Sequence, residues 1–190
     1  FITCHSYVQS EITGLIEVAD KMGFKVNTFT HILEGYKVAD KMLKHGANAS
    51  TFSDWWAYKM EVEDAIPYNA AIMHKVGLNV AINSDDAEMA RRLNQEAAKT
   101  MKYGGLTAEE ALALVTINPA KMLHVDDKVG SVKVKDMMRV ERYSHVMHLV
   151  SDIGAVLDDK YDMFDLFAAT FTAGTMTGTP KIRAMELISD

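Results

Sequence analysis

The sequence predicts an α/β protein with a parallel sheet, followed by a segment of different character. Four short apolar runs are each followed by an amphipathic run whose apolar residues recur at helical spacing. Successive strand–helix units of this kind are typical of parallel sheets with right-handed crossovers. The alternation ends near Asp126. We therefore expect the last part of the chain to adopt a different kind of structure.

The four predicted units are a strand over Phe1–His5 with a helix to Gly23, a strand over 25–31 with a helix to His45, a strand over 47–52 with a helix over about 61–75, and a strand over Val80–Ile82 with a helix to about Tyr103. Pro67 is expected to interrupt the third helix, because proline lacks the backbone N–H that a helix interior needs. Four strands cannot close into a barrel, so the first and fourth are predicted to offer unpaired edges. We expect a homo-oligomer to form through these edges.

The segments after the fourth unit do not follow the strand–helix alternation. Thr107 and Glu110 form a capping box at the start of another helix, which Asn118-Pro119 is expected to break. The later predicted elements are a short strand over 130–134, a β-leaning segment over 143–153, a helix over 163–171, a Gly/Thr loop over 173–179 and a terminal helix that Pro180 opens.

Composition excludes several classes of protein. The 190 residues are 48% hydrophobic and 24% charged, which is enough apolar sequence for a globular core. A net charge of -6 without a basic run argues against nucleic-acid or polybasic membrane surfaces, and no apolar stretch is long enough to span a bilayer. Cys4 is the only cysteine, which excludes intrachain disulfides and thiolate zinc sites.

The sequence gives less information about the start of the chain and about its cellular compartment. Phe1 stands inside an apolar run with no preceding methionine, from which we expect a fragment or an engineered product. No signal peptide is visible. The sequence leaves the compartment open and favours the cytoplasm.

Three potential metal ligands stand at the ends of predicted strands. His5 ends the first strand, His31 ends the second, and Asp85 follows the fourth, so parallel strands would place them on one rim. Imidazole and carboxylate are the ligands of hydrolytic zinc sites, and the carboxylate can also accept a proton from the attacking water. Two simpler interpretations stay open. Ser84, Asp85 or Asp86 caps the next helix, and each histidine is merely packed or solvated.

The motifs CHSYVQSEI, THILEGYKVADKMLKHGANAS, AINSDDAEMARRLNQEA and GLTAEEALALVTINPAKMLHV resemble the second half of a metal-dependent amidohydrolase of the imidazolonepropionase-like group, over residues 1 to about 134. This resemblance implies half of a TIM-type β/α barrel. It also implies that Asp85 is a metal ligand and the general base, and that His5 and His31 bind metal or contact substrate. The implied cofactor is a divalent metal, with zinc favoured. The family's first-strand histidine pair and fourth-strand lysine have no counterpart in this sequence.

The tail motifs MMRVERYSHVMHLVSDI and AGTMTGTPKIRAMELI are similar to the chorismate-binding domain of anthranilate synthase component I, over residues 135–190. The resemblance implies that His148 lies beside the ring of chorismate. It also implies a loop that holds a substrate carboxylate, formed by Gly174, Thr175, Gly178 and Lys181. Glycines there would allow backbone N–H groups to form an anion site, although a plain turn and helix start would give the same pattern.

Segment 130–134 is compatible with both families, so we expect a chimera with domains at 1–134 and 135–190, the second an α+β fragment. The predicted function is hydrolysis of a C–N or amide-like bond in a small molecule, with Asp85 and His31 as catalytic residues. A chorismate-using enzyme fragment is the alternative. A recombined or designed protein without activity is a third possibility.

Overall fold

The computed structural model describes residues 1–53, 55–142, 147–154, 156–157 and 159–165. The chain divides into two compact units, Phe1–Gly154 and Ala155–Asp190. All the strands and helices given below lie in the first unit.

Four parallel strands form the main sheet of the described chain, in the order β1 (Thr3–His5), β2 (Thr28–Thr30), β3 (Asn48–Thr51) and β4 (Val80–Ile82). Strand order equals chain order, because each strand returns beside the previous one after a crossover. The predicted α/β class with four parallel strand–helix units is confirmed, and the sheet is open.

Seven helices are described: α1 (Gln9–Met22), α2 (Ala39–His45), α3 (Asn69–Val76), α4 (Ala87–Ala90), α5 (Leu93–Gly104), α6 (Ala108–Ala113) and α7 (Ile117–Met122). Gly23, Gly46 and Gly77 lie in the left-handed region directly after α1, α2 and α3, as expected of glycines that end helices.

Three helix predictions differ from the structure. In the segment predicted as a helix over 61–75, the interruption expected at Pro67 is present, but the part before it is only a 3-10 turn over Met60–Val62 and the part after it is α3. The fourth unit contains α4 and α5, which are separated where Arg92 leaves helical geometry (φ −121°, ψ 36°). Pro119 does not break a helix. It lies in the first turn of α7, where no backbone N–H is required.

The core lies between the sheet and its helices. Phe29, Ala49 and Val80 occupy matching positions on β2, β3 and β4, and all three are fully buried. They belong to one apolar cluster with helix residues such as Met42 and Met73. This burial is the main driving force for the unit.

Asparagines connect the amino ends of the strands. Asn27, Asn48 and Asn79 stand at the start of β2, β3 and β4, and we call them the asparagine row. The Asn79 amide donates to Asn48 Oδ1 (3.0 Å), and the Asn48 amide donates to the Asn27 carbonyl (2.7 Å). Asn27 and Asn79 also donate to the carbonyls of Met122 (3.0 Å) and Asn118 (3.1 Å) in α7. The row therefore ties α7 beneath the sheet.

The outer edge of β4 is already hydrogen bonded within the chain. The Ile82 N–H donates to the Leu114 carbonyl (3.0 Å), and the Asn118 amide donates to the Val80 carbonyl (2.8 Å). The expectation that the fourth strand offers an unpaired edge is therefore wrong, because Leu114, which follows α6, and Asn118 of α7 bond to it.

Beyond α7 the chain forms an antiparallel hairpin of β5 (Lys133–Arg142) and β6 (Met147–Gly154). The strand predicted over 130–134 corresponds to β5, which begins at Lys133 and extends to Arg142. The loop predicted over 173–179 and the helix predicted from Pro180 lie outside the described residues, as does most of the helix predicted over 163–171. Among the described helices, none is long and apolar enough to cross a membrane.

Candidate active site at the carboxyl ends of the strands

His5, His31 and Asp85 lie on the same rim of the sheet. His5 is the last residue of β1, His31 directly follows β2, and Asp85 lies in the loop after β4. His31 Nε2 is 3.3 Å from Asp85 Oδ1. The rings of His5 and His31 meet edge to face, with centroids 4.4 Å apart. Residues from three separate strand–helix units are thus brought into contact.

The neighbouring aspartate provides the helix cap. Asp86 Oδ1 accepts the Met89 N–H (2.9 Å) at the start of α4, and the Asp86 N–H donates to Ser84 Oγ (3.2 Å). Asp85 therefore does not act as the cap, and its carboxylate is free to contact His31. About half of the Asp85 side chain, 53%, is exposed. A carboxylate in this position is accessible to water and to a small molecule.

His31 is held in a strained and largely buried position. Its φ of 62° lies in the left-handed region, which costs a residue other than glycine about 1–3 kcal/mol. The ring stacks on Phe52, with centroids 4.7 Å apart, and its Nδ1 is buried without a hydrogen-bond partner. A strained residue with an unpartnered nitrogen is more typical of a functional site than of a packing position.

The environment of His31 favours its neutral form. Burial lowers the pKa of His31 below its ordinary value of 6.5, and the nearby charges of His5 and Lys59 lower it further. The carboxylate of Asp85 opposes this shift by attracting the protonated ring. The net direction is downward. At neutral pH the His31 ring therefore retains a nitrogen lone pair, which metal ligation or proton acceptance requires.

The sequence did not predict an aromatic wall beside these residues, formed by Tyr7, Phe52, Trp55 and Tyr58. Phe52 stacks on Trp55 with centroids 4.5 Å apart, and the Lys59 ammonium lies 3.9 Å from the centre of the Tyr7 ring. Burial, together with a hydrogen bond to Tyr7, raises the pKa of Tyr58 to about 12. The only hint in the sequence was the group of aromatic residues after the third strand. These residues show no helix or strand periodicity, so their position could not be predicted.

The described residues fit a divalent metal only in part. Donor atoms of a tetrahedral zinc ion lie roughly 3.3 Å apart, because each is about 2.0 Å from the metal. The distance between His31 Nε2 and Asp85 Oδ1 agrees with this value. However, the described part of the chain contains no group of three or more His, Cys, Asp or Glu that could hold a metal ion. The pair is suited to be two ligands of a site that needs further donors.

The residues predicted to bind chorismate come later in the sequence than the residues of this site. His148 lies on β6, opposite Glu141 of β5. Gly174, Thr175, Gly178 and Lys181 lie outside the described residues, so the predicted anion loop stays a prediction.

Different parts of the chain are similar to two different families of known proteins. Residues 62–137 match the amidohydrolase family, and residues 121–190 match the chorismate binding enzyme family. The structure is similar to the crystal structure of an amidohydrolase from Thermotoga maritima, with a TM-score of 0.61 and 25% identity over 68% of this chain and 34% of that chain.

The curated relatives match a shorter segment. Anthranilate synthase component 1 from Aquifex aeolicus and from Acinetobacter calcoaceticus are each 56% identical over 63 residues, which is 33% of this chain. Aminodeoxychorismate synthase component 1 from Bacillus subtilis is 49% identical over 63 residues. The chain spans 13% of the length of each of these relatives.

These findings confirm both predicted resemblances. The chain joins an α/β segment similar to part of an amidohydrolase barrel to a segment similar to chorismate-binding enzymes. The two family matches overlap over residues 121–137, which include the predicted junction. The domain limits of 1–134 and 135–190 stay a prediction.

Proposed function

We propose that residues 1–134 carry the carboxyl-end half of a metal-dependent hydrolase site that acts on a C–N or amide-like bond of a small molecule. The main support for this proposal is the contact between His31 and Asp85. It lies at the carboxyl ends of the strands, where β/α barrels have their active sites. The similarity in fold to the Thermotoga maritima amidohydrolase supports the same reaction class.

The proposed roles follow from the surroundings of each residue. His31 and Asp85, with His5 beside them, would hold the ion, and imidazole with carboxylate favours zinc. The ion, when bound, would supply Lewis acidity and make water a stronger nucleophile at neutral pH. The exposed Asp85 carboxylate accepts the proton of the attacking water. His31 stays neutral because it is buried. Stacking on Phe52 fixes the orientation of the His31 ring.

The site is incomplete in the described chain, so we propose weak binding of about one zinc-like ion. Two closely placed donors and a third nearby histidine leave positions for ligands that another segment or chain would supply. Full hydrolytic activity would then require those additional ligands.

The test is the zinc content of the purified protein at equilibrium with buffers of increasing zinc concentration, measured by equilibrium dialysis and elemental analysis. We expect Asp85→Asn to lose bound zinc, because the amide is a much poorer ligand than the carboxylate. Asp86→Asn is the matched control, since asparagine also caps helices and Asp86 does not contact His31. Equal zinc contents in the parent protein and Asp85→Asn would contradict the proposal.

The chorismate-binding resemblance favours a second candidate, a fragment of a chorismate-using enzyme. The 63-residue match at 56% identity carries it. In this proposal His148 and the Gly174–Lys181 loop contact the substrate. Chorismate binding by isothermal titration, lost in Lys181→Ala and retained in Asp85→Asn, would favour this candidate over the hydrolase.

A further inference from the structure

The start of α1 is capped by a side chain from the next strand–helix unit. Val8, which precedes α1, provides no side-chain cap, although the first N–H groups of a helix need partners from outside it. Glu34 Oε2 accepts the Gln9 N–H (2.9 Å). Glu34 is only 6% exposed, so this charge-assisted hydrogen bond is largely shielded from water. The cap is thus supplied from 25 residues further along the chain, where most helices use their own N-cap residue.

A backbone contact joins the same two loops. The Glu34 N–H donates to the Tyr7 carbonyl (3.1 Å), so residue 34 bonds to the chain on both sides of Val8. His5 ends β1, Tyr7 lies in the loop after it, and His31 stands three residues before Glu34. Glu34 therefore connects the loop after β1 to the loop after β2 through both its backbone and its side chain.

The connection extends to a third loop through Lys37. Its Nζ lies 3.3 Å from Glu34 Oε1 and also pairs with Asp64 Oδ2, in the segment between β3 and α3. The hydrogen bond to Asp64 is the main reason why the pKa of Lys37 is raised, so the ammonium stays charged between the two carboxylates. The segment that contains Asp64 also carries part of the aromatic wall. We call four residues the loop clamp: Gln9, Glu34, Lys37 and Asp64.

We propose that Glu34 is a positioning residue of the candidate site, and that the loop clamp holds His5 against His31. The two rings come from separate strand–helix units, with centroids 4.4 Å apart. An edge-to-face ring contact is weak by itself, so this approach depends on what holds the two loops together. The inference rests on the proposed function, because it concerns how two of the proposed zinc ligands are kept together.

The clamp acts on one half of the site only. Asp85 follows β4, and the bonds of the clamp join the loops after β1, β2 and β3. Loss of the clamp should therefore separate His5 from His31 and leave the contact between His31 and Asp85 in place. Zinc affinity should then fall at least about tenfold, as is found when a partner that orients a metal ligand is removed.

Two variants remove the bond between Glu34 and α1 from opposite sides. Gln9→Pro deletes the N–H and leaves the carboxylate in place. Proline is favoured at the first position of a helix, and the extended backbone of Val8 (φ −102°, ψ 142°) suits a residue before proline, so this variant should fold. Glu34→Met keeps the length of the side chain but lacks the carboxylate oxygens.

Two further variants serve as controls. Glu34→Gln retains an oxygen that can accept the Gln9 N–H, so it should behave like the parent protein. Asp40→Asn removes an exposed carboxylate from the first turn of α2, which is not part of the loop clamp. It therefore controls for the loss of a negative charge near a helix start.

The test is the nuclear Overhauser contact between the His5 and His31 rings, measured by NMR on metal-free protein with labelled histidine. We expect this contact in the parent, Glu34→Gln and Asp40→Asn, and we expect its loss in Gln9→Pro and Glu34→Met. A zinc titration of Gln9→Pro should then shift the His31 signals without the His5 signals, at an affinity at least about tenfold lower than that of the parent.

A cap that only stabilises α1 would lower the free energy of unfolding without moving the rings. A ring contact that persists in either folded variant, Gln9→Pro or Glu34→Met, would therefore overturn the proposal, as would its loss in Glu34→Gln or Asp40→Asn or its absence from the parent. Failure of the proposed function looks different. A parent protein that shows the ring contact but binds no zinc would contradict the hydrolase proposal, while the metal-free measurement still decides whether Glu34 positions His5.

Discussion

The two rims of the four-stranded sheet are built differently although the same strands form both. At the amino ends, the amides of Asn27, Asn48 and Asn79 all have hydrogen-bond partners, and the row holds α7 in place. At the carboxyl ends, His31 has a left-handed backbone and a buried nitrogen without a partner. Strain and unused bonding capacity are thus found at the carboxyl ends, whereas every side-chain amide of the asparagine row is paired. This division matches the general separation of stability and chemistry in β/α barrels.

The strained rim depends on support from below, which one buried side chain supplies. The amide of Asn69 donates to the Ile32 carbonyl (2.9 Å) and to Thr51 Oγ1 (3.0 Å), and its Oδ1 accepts the Tyr36 N–H (2.9 Å). Asn69 is only 1% exposed. It therefore fixes the segment that directly follows His31.

The largest predicted effect comes from removing this support. Asn69→Ala would leave several buried polar groups without partners, so we expect a loss of roughly 2–4 kcal/mol in the free energy of unfolding. We also expect weaker zinc binding, because Ile32 adjoins His31. Urea unfolding and a zinc titration measure the two effects. Zinc affinity equal to that of the parent would show that His31 is positioned by other contacts.

Asn79→Ala is the matching change at the opposite rim. It removes two hydrogen bonds from a half-buried amide, and we expect a loss of about 1–2 kcal/mol in the free energy of unfolding. Zinc binding should not change, since the asparagine row does not contact the candidate site. A similar loss of zinc affinity in both asparagine variants would mean that the two rims are not independent.

The smallest predicted effect on stability is that of His31→Asn. Asparagine tolerates the left-handed region better than histidine does, which offsets part of the packing lost against Phe52. We expect the free energy of unfolding to change by less than about 1 kcal/mol, while zinc binding is lost. A destabilisation of several kcal/mol would instead mark His31 as a packing residue.

The sequence predicted the arrangement of the sheet, and it placed His31 and Asp85 at strand ends that the structure brings together. Strand–helix alternation implies parallel strands, and parallel strands place their carboxyl ends on one rim, so the proximity of His31 and Asp85 follows from His31 ending a predicted strand and Asp85 following another. The sequence could not decide between Asp85 and Asp86 as the helix cap. Both residues suit a cap, and only the path of the loop determines which carboxylate reaches the Met89 N–H.

Features that depend on tertiary contacts were not predictable. The left-handed backbone of His31 and the position of Lys59 over Tyr7 arise from how distant loops pack, and no local pattern encodes them. The covered edge of β4 depends in the same way on Asn118, which lies 38 residues further along the chain. From the sequence, Asn118-Pro119 was expected to break a helix, and nothing in it indicated the contact of Asn118 with β4.

The central claim is that His31 and Asp85 together bind a divalent metal. NMR of the protein with 15N-labelled histidine, titrated with zinc, tests this claim most directly, because each of the 7 histidines reports separately. We predict that the His31 ring nitrogens shift first, and that Asp85→Asn abolishes the shift while Asp86→Asn retains it. Unchanged His31 signals at saturating zinc, with shifts confined to other histidines, would contradict the account.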